Sequence, residues 1–145
     1  MIHLETITPD NWRLELKVCD EQRAYVLDSV GILARAYAYR ESRSQVFIIC
    51  EDNVRIGMCM YCDADEWNAY ELCQFFIDQR YQGRGFGFQA AEMILELMKE
   101  DGKFDKVVLC YIEGDEAARN LYEKLGFYCN GQVWEDEIGM EKMLR

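Results

Sequence analysis

The sequence predicts an α/β (α+β) fold, in which helices flank a mixed sheet built around one parallel strand–helix–strand unit. Short apolar runs typical of strands alternate with segments of helical periodicity. A glycine-rich turn, "DQRYQGRGFG" at residues 78–87, separates the apolar run "ELCQFFI" from a long amphipathic segment. Another apolar run, "DKVVLCYI", follows that segment. A strand therefore enters the turn, a helix leaves it, and the next strand returns parallel to the first.

The elements before the glycine turn are predicted from periodicity and caps. "IHLETI" alternates and predicts a strand, while "TPDNWRLELKV" predicts a helix with Thr8 as N-cap and Pro9 in its first turn. "DEQRAYVLDSVGILARAYAYR" is typical of one broken helix or two short ones. "SQVFIIC" and "VRIGMCMYC" predict strands joined by "EDN", and "YELCQFFI" predicts a fourth strand after the acidic loop "DADEWNA".

Two amphipathic helices are predicted after the turn. The apolar stripe of the first is Ala90, Met93, Ile94, Leu97 and Met98, with Gly102 at its end. The stripe of the second is Ala118, Leu121, Tyr122 and Leu125, with Gly126 at its end. "DKVVLCYI" between them is typical of a strand covered on both faces, and "FYCNG" and "EIGMEKML" predict the last strands. The predicted order is β-α-α-β-β-β-α-β-α-β-β.

Composition restricts the class of partner. The 145 residues suit one domain, residues 1–145, and the formal net charge of −11 argues against nucleic acid. That charge is compatible with a small cationic substrate, although acidity for solubility explains it equally well. No apolar stretch is long enough to span a bilayer, and "MIHLETIT" lacks the features of a signal peptide. We therefore expect a cytoplasmic protein without a membrane partner.

The seven cysteines are expected to be core residues and not metal ligands. Cys59 and Cys62 form one CxxC without a second pair at zinc-ligand spacing. Residues three apart in a strand point to opposite faces, so these two thiols are poorly placed to share an ion. The sequence predicts no metal.

The glycine turn has the features of an anion site. Backbone N–H groups at a helix start bind anions, and glycines let a ligand approach without a Cβ collision. Gly83, Gly85 and Gly87 therefore predict a diphosphate cradle, to which Arg84 adds positive charge. The Walker pattern is absent, and the third glycine comes one residue too early for the dinucleotide fingerprint. A glycine turn without a ligand is the alternative.

Two motifs carry a family resemblance. "RYQGRG" at residues 80–85 is similar to the [Q/R]xxGxG/A signature of the GNAT superfamily of N-acetyltransferases, and "DEAARNLYEKLGF" resembles its NxxAxxLYxxxGF signature. The resemblance covers essentially the whole chain and is greatest to the bacterial diamine and polyamine (spermidine/spermine) N-acetyltransferases. It implies a mixed, mostly antiparallel sheet with a central parallel β-α-β unit that binds acetyl-CoA.

The resemblance also implies which residues bind acetyl-CoA. Pantetheine would lie between the strand ending at Ile77 and the "KVVLCYI" strand, and the glycine turn would hold the diphosphate. The implied residues are Phe75, Phe76, Ile77, Gln82, Gly83, Arg84, Gly85, Phe86, Gly87, Asp115 and Arg119. Asp115 replaces the family's asparagine. Ionised aspartate can accept but not donate, so N-capping is an alternative role for this residue.

The implied catalytic residues are Glu71 and Tyr122. Glu71 lies six residues before Ile77, where some members of the superfamily carry a general base, and Tyr122 matches the tyrosine that protonates the leaving thiolate. A surface role for Glu71 and a core role for Tyr122 are the alternatives. The acids expected to bind a cationic substrate are Glu71 and the loop acids, unless the loop acids are simply solvated. These loop acids are Asp63, Asp65, Glu66, Glu113, Glu135, Asp136 and Glu137.

The resemblance implies an enzyme that moves an acetyl group from acetyl-CoA to a primary amine of a diamine or polyamine, by direct attack in a ternary complex. A protein amine and an amine antibiotic are alternative acceptors. A non-catalytic acyl-CoA sensor is the alternative to an enzyme, and such a sensor would not need Tyr122 or Glu71. The oligomeric state is not fixed by the sequence, and a homodimer is one option.

Overall fold

The structure is a computed structural model that describes residues 1–18 and 28–145. Its strands are β1 (Ile2–Thr6), β2 (Gln45–Glu51), β3 (Val54–Ala64), β4 (Ala69–Ile77), β5 (Lys106–Ile112), β6 (Tyr128–Trp134) and β7 (Glu137–Met143). Its α-helices are α1 (Ser29–Ala38), α2 (Phe86–Asp101) and α3 (Glu116–Lys124). Across the two described ranges, no helix combines the length and the apolar composition that crossing a membrane requires.

The strands form one mixed sheet in the order β1-β2-β3-β4-β5-β7-β6. Neighbouring strands are antiparallel except β4 and β5, which are parallel and are connected through α2. This arrangement confirms the predicted mixed α/β sheet and its central parallel unit. The glycine turn lies between β4 and α2, at the carboxyl end of β4.

Strands β4 and β5 separate part of the way along their length. They pair from Tyr70–Val107 to Leu72–Leu109, yet β4 continues to Ile77 and β5 to Ile112. The separation begins next to an irregularity in β4, where the β3–β4 register shifts at Cys73. The resulting opening, the β4–β5 wedge, leaves backbone groups of both strands without strand partners, as the resemblance implied.

The sheet is buried on both faces by different helices. On one face, α2 and α3 pack against β5 through Val107, Leu109 and Tyr111. On the other face, α1 and the extended segment before it pack against β3. That second cluster contains Val18, Ile32, Ala36, Met58, Met60 and Phe76. Beyond α1 this second face is less completely covered, and the gap is where β5 becomes accessible.

The prediction that both faces of β5 are covered is therefore wrong. Val107, Leu109 and Tyr111 lie in the core, but Val108 and Cys110 on the opposite face border a cavity, and Cys110 is exposed. The continuous apolar run misled the prediction because an apolar cavity wall and a core wall favour the same residue types.

The predicted helix over residues 8–18 is also wrong. Thr8 and Asn11 form a polar turn, because Asn11 Oδ1 accepts from the Thr8 N–H at 2.7 Å and Thr8 Oγ1 accepts from the Asp10 N–H at 3.2 Å. Such local side-chain bonds compete with helix formation. The chain then runs extended, and its alternating residues Leu14, Leu16 and Val18 pack on the α1 face of the sheet.

The remaining helices agree with their predicted patterns in part. α1 confirms a helix in the second half of the segment at residues 20–40, whose first part lies outside the described residues. The α3 stripe is confirmed, with Tyr122 and Leu125 buried. The buried face of α2 is rotated from the predicted one, because Ala91 and Leu95 are buried while Met93 is 36% exposed.

Candidate active site

The glycine turn is anchored by a buried carboxylate. Asp78 is only 1% exposed and accepts hydrogen bonds from the Arg80 backbone and side chain and from the Lys17 N–H. Burial alone would raise its pKa, but these donors lower it. Gly83 and Gly85 then adopt φ values of +79° and +80°, which favour glycine. The anchored carboxylate and the two glycines fix the course of the chain into α2.

The first turn of α2 is open to an anion. Its N-cap, Gly85, provides no side-chain acceptor, and the first turn contains no acidic residue. The helix N–H groups are therefore available for another partner, and the dipole of a 16-residue helix favours a negative charge there. A Cβ added at Gly83 or Gly85 would meet no atom within 4 Å. This open cradle fits the diphosphate of a coenzyme A molecule.

A cavity of about 250 Å³ lies between this turn, the carboxyl end of β4 and α3. We call it the glycine-turn cavity. It is lined by Val18, Phe75, Phe76, Ile77, Tyr81, Gln82, Gly83, Gly85, Phe86, Gly87, Asp115, Ala117, Ala118, Leu121 and Tyr122. All residues predicted to bind the cofactor line it except Arg84 and Arg119.

Arg84 and Arg119 do not line the glycine-turn cavity, and their contact with the cofactor stays a prediction. Arg84 is exposed and does not line the glycine-turn cavity, although its neighbours on both sides do. Arg119 lies on the outer side of α3, where it forms ion pairs with Glu116 and Glu123 at 3.5 and 2.8 Å. Its charge is thus used along its own helix at the i+4 spacing. The structure gives no support for a contact between Arg119 and the cofactor.

A second cavity, of about 160 Å³, occupies the β4–β5 wedge, and we call it the wedge cavity. Phe75, Asp115 and Tyr122 line both this cavity and the glycine-turn cavity. Glu71 lines the wedge cavity too, and its Oε2 lies 3.7 Å from Nη2 of Arg35 on α1. The structure therefore brings Glu71 and Tyr122, the two predicted catalytic residues, to one cavity.

Tyr122 is buried, with its ring edge-on to Phe127 at a centroid distance of 5.7 Å. No described residue forms a hydrogen bond with its hydroxyl. Burial, and next the nearby Asp115 carboxylate, raise the pKa of this phenol above its ordinary value. Tyr122 therefore keeps its proton at neutral pH and can donate it as a hydrogen bond to a group entering the wedge.

Asp115 is the N-cap of α3, and its Oδ1 accepts from the Ala118 N–H at 3.2 Å. This confirms the capping role proposed for it. The residue is 8% exposed and borders both the glycine-turn and wedge cavities. A contact with the cofactor stays a prediction.

A third cavity, of about 390 Å³, continues from the wedge on the α1 side of the sheet, and we call it the tryptophan cavity. It is lined by Trp67, Glu71, Val108, Leu109, Cys110, Asn130, Trp134, Glu137 and Gly139. Glu71, Cys110 and Glu137 also line the wedge cavity. The wedge cavity therefore lies between the other two and shares lining residues with each, Tyr122 with the glycine-turn cavity and Glu71 with the tryptophan cavity.

Three of the acids predicted to bind substrate lie elsewhere. Asp63 is buried in an ion-pair network, where Arg43 and Lys103 each approach it to 2.7 Å, and it lines none of the three cavities. Its charge is already compensated, so its assignment to substrate is corrected. Glu113, which follows β5, and Glu135, in the turn between β6 and β7, also lie outside these cavities.

Sequence reasoning missed Arg35 and the two tryptophans as residues of the site. It named Glu137 only as one of three consecutive acids. The alternation of β7 distinguishes it, because Ile138 and Met140 face the core and place Glu137 and Gly139 on the other face. Nothing local identified Arg35, because its role depends on how α1 packs across the sheet.

One group with metal-ligating atoms lies away from this site. Atoms of His3, Glu5 and Cys50 fall within 4.8 Å of one another. Glu5 already accepts hydrogen bonds from Asn11 and Arg55, and burial raises the pKa of the Cys50 thiol to about 11, which disfavours the thiolate that binds metals. The absence of a metal stays a prediction.

Comparison with known proteins defines the class. Residues 8–127 match the acetyltransferase (GNAT) family. The spermine/spermidine N(1)-acetyltransferase of Bacillus subtilis (strain 168) is 29% identical over 140 residues, which span 91% of each chain. The structure of spermidine N-acetyltransferase from Vibrio cholerae with CoA and spermine has a TM-score of 0.78 at 17% identity, over 99% of this chain and 95% of that one.

The fold is shared by enzymes with other acceptors. Ribosomal-protein-S5-alanine acetyltransferase from Vibrio fischeri has a TM-score of 0.62 at 20% identity, over 79% of this chain and 69% of that one. The chain belongs to the acetyltransferase (GNAT) family, and it is an acetyl-CoA-dependent N-acetyltransferase. This confirms the fold and the enzyme class that the two motifs implied. The acceptor amine must therefore be inferred from the residues of the site and not from the fold.

Proposed function

We propose that the protein acetylates a primary amine of a diamine or polyamine by direct attack in a ternary complex. The observation that carries the proposal is the wedge cavity, which holds both Tyr122 and Glu71 and shares one wall with each of the other two cavities. The acyl donor and the acceptor amine can approach the wedge from opposite faces of the sheet. Both can then be bound at once, so no acetylated enzyme intermediate is needed.

The donor side is formed by backbone more than by side chains. The free N–H groups at the start of α2 and the open positions at Gly83 and Gly85 would hold the diphosphate of acetyl-CoA. The stretch of the wedge in which β4 and β5 no longer pair with each other would receive pantetheine as it would an added strand. The bound thioester supplies the acetyl group and the leaving thiolate.

Glu71 is proposed to receive the proton of the acceptor amine. An alkyl ammonium has a pKa of about 10.4, so presenting the neutral amine at pH 7 costs roughly 4–5 kcal/mol. Glu71 lies at the junction between the wedge and tryptophan cavities, where an amine would have to arrive. Its carboxylate can take the proton directly or through water, while Arg35 holds it in place at 3.7 Å.

Tyr122 is proposed to donate a hydrogen bond, and finally a proton, to the departing sulfur. It borders the wedge from the side of α3, and its hydroxyl has no partner among the described residues. Its raised pKa keeps the proton available throughout the neutral range. Because a phenol of raised pKa is a weaker acid than a thiol, its hydrogen bond first stabilises the developing thiolate. The proton that Tyr122 then gives to sulfur is replaced by the proton that Glu71 took from the amine, returned through water.

The acceptor class rests on charge and on the relatives. Glu71 and Glu137 border the acceptor side of the site, and the whole chain carries a formal net charge of −11. Relatives of similar length are named for spermine and spermidine acetylation. Both observations favour a polycationic acceptor over an amino acid or an anionic one.

The test is a panel of acceptors assayed with acetyl-CoA: spermine, spermidine, putrescine, an aminoglycoside, glycine and a peptide with an N-terminal alanine. We expect the highest kcat/KM with the linear amines and intersecting initial-rate lines. Turnover confined to the peptide or the aminoglycoside would overturn the acceptor assignment. CoA binding without turnover of any amine would favour the sensor alternative.

A further inference from the structure

The wall of the tryptophan cavity differs from an ordinary protein surface. Val108 and Cys110, on the uncovered face of β5, form an apolar floor. Trp67 and Trp134 stand beside it edge to face, with ring centroids 5.9 Å apart and an interplanar angle of 89°. They remain 37% and 42% exposed. Two large aromatic rings beside an apolar strand face form a surface that methylene groups can contact.

No arginine or lysine of the described residues pairs with Trp67, Trp134 or Glu137 at this cavity. The arginine and lysine groups found over rings in the described residues lie over other aromatics, and none lies over Trp67 or Trp134. Glu137 forms no hydrogen bond or ion pair with any other described side chain. Glu71, by contrast, is already paired with Arg35. Glu137 is therefore the uncompensated negative charge of this cavity.

The negative potential of the two carboxylates acts on the floor between them. The pKa of the Cys110 thiol is raised to about 11, by burial first and then by Glu137 and Glu71. Both carboxylates therefore act on the same short section of β5. A cation entering the cavity would experience their combined field together with the ring faces.

We propose that Glu137, Trp67 and Trp134 form a subsite for the second, non-reacting ammonium group of a linear diamine segment, and that they determine acceptor specificity. The reacting nitrogen lies at Glu71 in the wedge, and the methylene chain lies on Val108 and Cys110. The second ammonium lies against the tryptophans and is neutralised by Glu137. This inference rests on the proposed function and adds the residues that distinguish a diamine from a monoamine of the same length.

The experiment compares 1,4-diaminobutane with butylamine, which differ by one terminal ammonium group. The variants are Glu137→Gln and Trp134→Leu, and Glu135→Gln is the matched control. Glu135 lies two residues away and loses the same charge, but it lines none of the three cavities. The readout is the ratio of kcat/KM for the diamine to that for the monoamine, with thermal melting and CoA affinity measured on every variant.

The wild-type enzyme is expected to favour the diamine by at least about tenfold, and Glu137→Gln to reduce that ratio about tenfold. Trp134→Leu should lower the ratio severalfold, while Glu135→Gln leaves it within about twofold. Equal losses for both amines in Glu137→Gln, or an equal effect of Glu135→Gln, would overturn the subsite. Wild-type turnover of both amines at the same kcat/KM would overturn it and leave the proposed function intact. Turnover of neither amine would overturn the subsite, while the spermine and spermidine assays decide the proposed function separately.

A second readout does not depend on turnover. Trp67 and Trp134 are two of the three tryptophans in the chain, so diamine binding should change the fluorescence of the CoA-bound protein. Butylamine at the same concentration should change it much less, and Glu137→Gln should weaken the diamine response. Diamine binding to wild type with no change in emission would contradict placement at the tryptophans.

Discussion

At the scale of single residues, the role of Tyr122 depends on its surroundings more than on its identity. The residue is buried, but its hydroxyl has no partner among the described groups, and Tyr122 borders the two cavities that meet at the wedge. The LYxxxGF motif identified this residue, because a helix stripe and a following glycine fix its place. Nothing in the motif indicated that Glu71 would be paired with Arg35, since that contact joins elements distant in sequence.

Tyr122→Phe is expected to lower kcat about 100-fold, because the leaving sulfur loses its proton donor. CoA affinity measured by calorimetry should change by less than about twofold, since the ring is retained. Because the pKa of Tyr122 is raised, its proton is kept well above neutral pH, so the wild-type rate should not fall between pH 8 and about 10. An unchanged kcat in the variant would remove the assigned role.

Asp63 gives a prediction about stability. Burial tends to raise its pKa, but hydrogen bonds from Arg43 and Lys103 lower it overall. A lowered folded-state pKa stabilises the protein above the unfolded value of about 3.9, and that stabilisation is lost as the pH falls through the folded pKa. Asp63→Asn should therefore lower the free energy of unfolding by about 2 kcal/mol at pH 7. This value allows for solvent screening, because the side chains of Arg43 and Lys103 are nearly half exposed.

The measurement for Asp63 is denaturant unfolding of wild type and variant at pH 7 and pH 3. We expect the difference in unfolding free energy to shrink at pH 3, because this pH lies below the unfolded-state pKa of about 3.9 and the unfolded carboxylate then binds a proton. A difference of the same size at both pH values would show that the loss comes from packing and not from the charge.

At the scale of elements, amphipathic helices and alternating strands were predictable because their burial follows a fixed period. α3 agrees with its pattern, and the strands after the glycine turn lie where they were predicted, although one face of β5 borders a cavity. The segment at residues 8–18 did not, because Thr-Pro-Asp-Asn resembles a helix start and instead closes a turn through Asn11. The alternation of Leu14, Leu16 and Val18 was the signal for an extended chain. The wedge had no local signal, since it depends on pairing between β4 and β5.

The glycine turn provides a matched pair of substitutions. Gly83 and Gly131 have φ values of +79° and +85°, and a Cβ at either would meet no atom within 4 Å. Replacement by alanine should therefore cost each variant a similar amount of stability, about 1 kcal/mol. Only Gly83→Ala adds a methyl group to the proposed cradle, so only this variant should weaken CoA binding, by about tenfold or more. Equal CoA affinity in both variants would argue against the cradle.

At the scale of the whole molecule, the net charge of −11 affects how substrates arrive. Attraction between an acidic protein and a polycation is screened by salt over about 8–10 Å near physiological ionic strength. Composition suggested this attraction, but it did not reveal which acids border the site. Asp63 is internally paired, whereas Glu137 is open, and that difference follows from tertiary packing.

Raising NaCl from 20 to 200 mM should lower kcat/KM for spermine about tenfold and for 1,4-diaminobutane about threefold, because the tetraamine carries more charge. The values of kcat should change little, because the charges mainly affect the rate at which the amine and the enzyme associate. Initial rates at saturating acetyl-CoA measure both quantities. An equal salt response for the two amines would assign no steering role to the acidic surface.

The interrupted pairing of β4 and β5 also bears on how long the protein survives in a cell. A stretch of strand without a partner strand in the middle of a sheet resembles an exposed edge strand, which attracts neighbouring chains and promotes aggregation. A bound donor molecule would cover them and favour the folded state by mass action. Cellular abundance of this enzyme should therefore follow the supply of its acyl donor, with starved cells clearing it faster than well-fed ones.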